Sequence, residues 1–498
     1  MLKTFILVGS LVLAGLTAIP RVLFAQSTEH KLTASDSTGG FGYSVSVSGD
    51  VAVVGADFDN HRTGAAYVFR WNGNVWEEEQ KLMASDAASH GFFGFSVSIS
   101  GDVVLVGAWG DNDNGKYSGA AYIFRDVSGA WEEEQKLTAS DGALLDVFGI
   151  SVSVSGDVAV VGAYRDDDSG PDTGSAYVFR WNGEDWIEEH ELLASDRDLA
   201  DQLGWSVSVA GNVAVAGAHF DDDNGSNSGS AYVFRWNGVT WEEEQKLIAS
   251  DGSAWDQFGQ SVSVYDDIVV VGASGDDEYS GSVYVFRWNG MKWQEEQKLI
   301  ASDGVEGDQF GHSVSVSGNV LLVGARSEDD NGSGSGSAYV FRWNGVMWVE
   351  EQKLVASDGA ELDGFGTTVS MSGNVALVGA PGDYDKRTGG GSAYVYEGIT
   401  VDIEEPVDDL PAQAVLAAAY PNPSSDQTTI EFVVPERSHV ALRIYDLLGR
   451  EVRVLCAREM AAGKHEVAFD AGRLAPGVYV LRLEAGSSIA TQRLTVIR

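Results

Sequence analysis

Between residues 29 and 397 the chain is a succession of short apolar stretches separated by glycine-centred turns. Ser44-Val45-Ser46-Val47-Ser48 alternates with period two, which predicts a strand with one buried face. Gly49-Asp50 turns the chain into Val51-Ala52-Val53-Val54-Gly55-Ala56, a stretch apolar on both faces and so expected in a sheet covered on both sides. An acidic loop leads to a third strand, Gly64-Ala65-Ala66-Tyr67-Val68-Phe69-Arg70-Trp71. Asn72-Gly73 reads as a two-residue hairpin turn before the returning strand Val75–Leu82. Counting back across that turn pairs Phe69 with Trp76 and places Tyr67, Phe69, Trp71 and Trp76 on one face. Each such aromatic can bury roughly 150–250 Å², so core packing explains these tryptophans better than a sugar-stacking platform.

The four-strand pattern repeats. Phe-Gly recurs at Phe41, Phe93, Phe148, Phe258, Phe310 and Phe365, and Leu203-Gly204 takes the same slot once, giving seven copies spaced by 52 or 55 residues. The three-residue difference falls in the acidic stretch, as expected of a solvent-facing loop. Seven four-stranded units with a two-sided apolar face predict an all-β, seven-bladed β-propeller. Outer strands begin at Trp76, Trp131, Trp186, Trp241, Trp293 and Trp348, but the seventh copy ends at Tyr394-Val395-Tyr396 without one. Glu29-His30-Lys31-Leu32 precedes the first copy and matches the later outer strands, so it is expected to complete the last blade and close the ring.

Phe-Gly, then Val-Gly-Ala (Val378-Gly379-Ala380 in the last copy), then Gly-x-Ala-Tyr-Val-Phe resembles the FG-GAP repeat of integrin alpha-subunit propellers and their bacterial relatives. The resemblance spans residues 29–397. It implies a seven-bladed platform for protein or glycan partners, with calcium held in acidic loops of several blades. Those loops bunch carboxylates and amides in every copy, and the pairs Asp111/Asp113, Asp166/Asp168, Asp221/Asp223 and Asp383/Asp385 have the alternation that can supply several of the six to eight oxygens calcium takes. The loops depart from the family's Asp-x-Asp-x-Asp-Gly pattern: glycine follows one position early, the third carboxylate is mostly absent, and the first and fifth loops are shortened. A solvated turn rich in Asp, Asn and Gly is the alternative reading. A second set of acids, of the Asp251/Asp256 and Asp303/Asp308 type, lies in the links between blades and reads as turn chemistry.

Charge changes the picture of partners. Acids outnumber bases 74 to 32, for a formal net charge of −42, which repels phosphate backbones and argues against nucleic acid. From Ala414 onward nine acids face ten bases, so the excess lies upstream and the C-terminal part is a separate body. Cys456 is the sole cysteine, so no intrachain disulfide forms. Met1-Leu2-Lys3, an apolar run from Phe5 to Ile19 and Val22-Leu23-Phe24-Ala25-Gln26 read as a signal peptide over residues 1–25, and no other run is long enough for a transmembrane anchor.

After the propeller at 26–397, an acidic linker over 398–418 contains Glu404-Glu405-Pro406. Residues 419–498 alternate as a small Ig-like β-sandwich. Tyr420-Pro421-Asn422-Pro423, Asp446-Leu447-Leu448-Gly449-Arg450 and Leu474-Ala475-Pro476-Gly477-Val478-Tyr479 resemble the C-terminal sorting domain of type IX secretion cargo. That resemblance implies handling by the type IX machinery and release or display outside a bacterium with two membranes.

No catalytic constellation stands out. The histidines at 61, 90, 190, 219 and 312 occupy different repeat positions, and no His-Glu-x-x-His, nucleophile elbow or phosphate loop is present. Trp205, Trp255 and Thr367-Thr368 read as packing variation. The expectation is therefore a monomeric, non-enzymatic surface protein for adhesion to a protein or polysaccharide ligand; a surface hydrolase or lyase on the same ring, and a passive coat component, are the alternatives.

Overall fold

The computed structural model describes residues 27–399 apart from 37–38 and 385–389, and, beyond them, 415–416, 427–434, 438–445, 450–460, 463–471, 474–485 and 488–496. The signal peptide, most of the linker, Tyr420-Pro421-Asn422-Pro423 and Asp446–Gly449 thus lie outside the described residues. The chain divides into two compact units, one of them Gln26–Ile399 and the other containing Thr400–Arg498.

The first unit holds seven four-stranded antiparallel sheets. Sheet 1 is Phe41–Ser48, Val51–Ala56, Ala65–Trp71 and Trp76–Leu82 in hydrogen-bonded order, and sheets 2 to 6 repeat it. Sheet 7 takes three strands, Thr368–Ser372, Val375–Ala380 and Ser392–Glu397, from its own copy and a fourth, Thr28–Leu32, from the start of the chain. Thr28 pairs with Glu397 and Leu32 with Ala393. This arrangement fits a β-propeller.

First strands of successive sheets lie side by side and are tied by serine hydroxyls that accept from backbone N–H groups. Ser46 Oγ accepts from Ile99 N at 3.1 Å, and Ser370 Oγ of sheet 7 accepts from Val47 N of sheet 1 at the same distance. The second strands are buried over nearly their whole length, as their two-sided apolar pattern predicts. Each core lies between two sheets: Val51, Val53 and Val68 of sheet 1 pack on Val104, Val106, Tyr122 and Phe124 of sheet 2. Burying each valine stabilises the stack by roughly 1.5–3 kcal/mol.

The repeated glycines allow this stacking at backbone distance. A Cβ on Gly55 would meet the carbonyl oxygen of Gly94 in the next sheet at 2.0 Å, and Gly94 itself adopts φ +86. The Phe-Gly and Val-Gly-Ala signatures are thus two halves of one inter-sheet contact.

The hairpin differs from the two-residue turn expected. Trp71 pairs with Trp76, Phe69 with Glu78, and a bulge separates Val68 from Phe69. Residues 72–75 form the loop because Asn72 Oδ1 accepts from Asn74 N and Val75 N at 2.9 and 3.0 Å, capping a wider turn. The outer tryptophans are core residues: Trp186, Trp241 and Trp348 are 1–2 % exposed.

The described strands of the second unit form a three-stranded sheet around Gln427–Val434 and a four-stranded sheet around Ser438–Tyr445. They share a core that includes Ile430, Phe432, Leu442, Ile444, Leu481 and Leu494. Cys456 is half-buried and unbridged.

Candidate functional site

Each acidic loop joins the second and third strands of a sheet. In sheet 2 it presents Asp111 and Asp113, and a lysine from the outer strand reaches into it. Lys136 Nζ stands 2.9 Å from Asp111, 2.6 Å from Asp113 and 2.6 Å from Asp86 of the preceding link. Asp86 also accepts from the Tyr122 hydroxyl at 2.8 Å. Sheet 4 repeats the cage, with Lys246 at 2.8 Å from Asp221, 2.6 Å from Asp223 and 2.9 Å from Asp196. In sheet 6, Lys353 is held by Glu328, Asp330 and Asp303 at 3.0, 2.6 and 2.8 Å. In the shortened loops of sheets 1 and 5, Lys81 meets Asp59 at 2.7 Å and Lys298 meets Asp276 at 2.6 Å. Sheet 7 receives Lys31 from the N-terminal strand, 2.7 Å from Asp383 and 2.6 Å from Asp358. Asp385 lies outside the described residues.

The lysines of sheets 1, 2, 4, 5 and 6 are held firmly charged by these partners. Burial alone would lower the Lys246 ammonium, yet its hydrogen bonds to Asp221, Asp223 and Asp196 raise it overall. Among the described residues, the one acidic set whose ligand atoms all lie within 4.8 Å of one another is Asp86, Asp111 and Asp113, and Lys136 is seated in it. In six sheets, then, the place a calcium ion would take holds an ammonium group supplied by the chain.

Sheet 3 is the exception. Tyr177 pairs across the strands with Glu191, where Tyr122 pairs with Lys136 and Tyr232 with Lys246. The rest of the cage is intact: Tyr177 donates to Asp141 at 2.9 Å, Ser175 Oγ donates to Asp166 at 2.9 Å, and Asp168 N donates to Asp166 Oδ1 at 3.1 Å. Burial pushes the Glu191 carboxyl up to about 7, and Asp166, Asp141 and Asp168 add to the rise. Asp168 is raised as well, by burial and then by Asp166. Asp146, only 4 % exposed, is pushed to about 6 by burial and by Asp166, Asp167 and Asp168, and its Oδ1 has no hydrogen-bond partner. This donor set is one of hard, negatively charged oxygens with no cation of the chain's own among them, although no three of its ligand atoms lie within 4.8 Å of one another.

The pairs singled out by spacing therefore fall into two kinds. Asp111/Asp113, Asp221/Asp223 and Asp383 neutralise lysines, whereas Asp166 and Asp168 face Glu191. Sequence spacing missed the link aspartates, read as turn residues, although Asp251 and Asp303 sit on Lys298 and Lys353. It also missed the lysines. The signal was present in Gln-Lys-Leu, which closes the outer strand of six copies, counting His30-Lys31-Leu32, and becomes His190-Glu191-Leu192 in one.

The FG-GAP repeat model matches seven segments, 27–69, 76–124, 131–179, 186–234, 241–286, 293–341 and 348–396. The chain is an FG-GAP repeat protein. Each matched segment starts on an outer strand and ends on the third strand of the next sheet, so the family's repeat and the folded sheet are out of phase by one strand. That offset leaves the first segment beginning near Thr28–Leu32, the strand that completes sheet 7 and that the seventh copy itself does not supply. A secretion system C-terminal sorting domain matches residues 418–497, which marks this FG-GAP protein for handling by type IX secretion machinery and for a cell-surface or secreted location. No curated protein matches the chain. Among the described residues no helix is long and apolar enough to cross a membrane.

Proposed function

We propose that this FG-GAP protein is a non-catalytic binding protein, acting in adhesion to a protein or polysaccharide outside the cell, and that its body is a closed seven-bladed propeller latched by Thr28–Leu32. The observation that carries the reading is where the repeat breaks. Strands, cages and inter-sheet contacts recur almost unchanged, but the residue after each Phe-Gly or Leu-Gly differs in all seven copies, from Tyr43 through Trp205 to His312. Those residues sit at the Phe-Gly ends of the first strands, where the sheets converge. Seven different side chains at one end of a regular scaffold are what recognition of one asymmetric partner requires. The test is attachment of wild-type and deletion strains to surfaces coated with matrix proteins or polysaccharides, alongside hydrolase and lyase assays of the purified protein. Loss of attachment without detectable turnover supports binding. Turnover that depends on a single sheet supports an enzyme, and unchanged attachment supports a passive coat.

Calcium belongs to this reading at one place. Asp141, Asp146, Asp166, Asp168 and Glu191 of sheet 3 would hold it, and it would supply the positive charge that lysine supplies elsewhere. Titration calorimetry of the purified protein should then find one calcium site per chain, abolished in Glu191→Lys; several equivalent sites, or one indifferent to that substitution, would refute the assignment.

A further inference from the structure

The non-repeating residues at the Phe-Gly end form two chemically distinct arcs. One is aromatic. Tyr43 and Phe95 of neighbouring sheets approach to 4.9 Å between ring centroids, and Phe95 meets Trp109 at 6.0 Å. Farther round, Trp205 lies 5.0 Å from Tyr164 and 4.4 Å from His219. The other arc is polar. Gln260 Nε2 is 3.4 Å from His312 Nδ1, and Gln260 Oε1 accepts from Ser274 Oγ at 3.2 Å. Arg326 is exposed beside them and interacts electrostatically with Tyr43 although sheet 7 intervenes in the ring, so the two arcs face a common space.

Three buried polar atoms without a hydrogen-bond partner sit at one repeat position, directly after Gly-Ala: Asp57 Oδ1, Trp109 Nε1 and His219 Nδ1. The first can only accept while ionised, the second can only donate, and the third does either according to its tautomer. Burial holds His219 at about 3, and burial together with Arg326 holds His312 at about 3, so both rings stay neutral hydrogen-bonding groups at neutral pH.

We infer that the Phe-Gly end of this propeller binds a neutral saccharide, stacking a pyranose ring on the Trp205 and Phe95 arc and hydrogen-bonding its hydroxyls through Gln260 and His312. Aromatic faces pack well against the C–H faces of sugar rings, and the opposite arc offers amide, hydroxyl and imidazole groups. Charge selects within the class: a net charge of −42 opposes an acidic polysaccharide, and Arg326 opposes a cationic side chain entering the same space. The inference rests on the reading of this end as the binding face.

The full-length protein can be titrated, with tryptophan fluorescence and affinity electrophoresis as readouts, against a neutral β-glucan, mannan and galactan, with alginate and polylysine as charged comparators. Trp205→Ala and Gln260→Ala are tested in parallel, each checked for native near-ultraviolet circular dichroism. Binding of at least one neutral polysaccharide, weakened at least about tenfold by either variant, is the expected result. If Trp205→Ala does not fold, Gln260→Ala carries the test. No neutral polysaccharide bound, or binding that neither variant changes, overturns the inference. Binding of alginate, polylysine or a protein partner that Trp205→Ala abolishes also overturns it, but leaves the binding face standing; ligand binding indifferent to both variants removes the face itself.

Discussion

Sheets 3 and 4 have the same loop length, the same tyrosine hydroxyl and the same three aspartate positions, yet one encloses Lys246 and the other Glu191. In sheet 4 Asp196, Asp221 and Asp223 are paid for by one ammonium on the neighbouring strand, and burial pushes the link residue Asp201 up to about 6, as it does Asp146 in sheet 3. In sheet 3 the same geometry concentrates negative charge until carboxyls hold their protons near neutral pH. One exchange on the outer strand turns a self-satisfied structural cage into an electrostatic vacancy. Acid clusters in repeat proteins are therefore best judged by what the adjacent strand places in them.

The contrast can be erased from either side. Lys246→Glu copies sheet 3 into sheet 4 and leaves Asp221, only 3 % exposed, with an uncompensated charge; the expected cost is about 3–5 kcal/mol in denaturant unfolding, partly recovered on adding calcium. A cost below about 1 kcal/mol would show that the cage lysine does not carry the charge balance. The reverse exchange, Glu191→Lys, should stabilise the calcium-free protein by roughly 1–3 kcal/mol and remove any calcium-dependent rise in melting temperature.

Acidity offers a milder probe. Glu191 holds its proton up to about 7 in the folded protein against an ordinary carboxyl value near 4.5, so its contribution to stability is complete below about pH 4.5 and is lost as pH rises through 7. In chelator, the melting temperature should fall between pH 5 and pH 8. Glu191→Gln should flatten that slope in part, because Asp57, raised to about 7, and Asp146 and Asp201, raised to about 6, act with the same sign. A slope identical in wild type and Glu191→Gln would place the charge excess elsewhere.

The smallest expected difference lies between two tyrosines. Tyr177→Phe removes one of few donors to carboxylates that have no lysine, while Tyr232→Phe leaves Lys246 in place. The first should cost about 0.5–1 kcal/mol more than the second in parallel denaturation curves.

The sheets were legible in the sequence because apolar alternation, paired glycines and repeat spacing all report the same backbone contact. The hairpin was misjudged by two residues, since Asn72 works through its side chain, capping Asn74 and Val75, and period-two counting does not register side-chain caps. The acidic loops were legible as clusters but not as cages: Lys136 lies 25 residues after Asp111 and Asp86 the same number before it, and only strand pairing brings them together. Glu191 stood in plain view, but its meaning depends on the lysine absent from its position. Trp205, which reads as packing variation in a single copy, gains significance beside its six equivalents, each at the Phe-Gly end of a first strand.

The antiparallel pairing of Thr28 with Glu397 has a mechanical consequence. Any load drawn in through the C-terminal tail enters the body at Ile399, which is buried and donates from its backbone N to Asn374 O at 3.2 Å, just beyond Glu397, the end at which Ser392–Glu397 is flanked by Thr28 on one side and Val375 on the other. Tension directed out of the sheet at that end peels the strand from both neighbours one hydrogen bond at a time instead of shearing a whole ladder at once. Sheet 7 is thus the seam at which a pulled molecule opens first, with Lys31, gripped by Asp383 and Asp358, as the rivet nearest its far end.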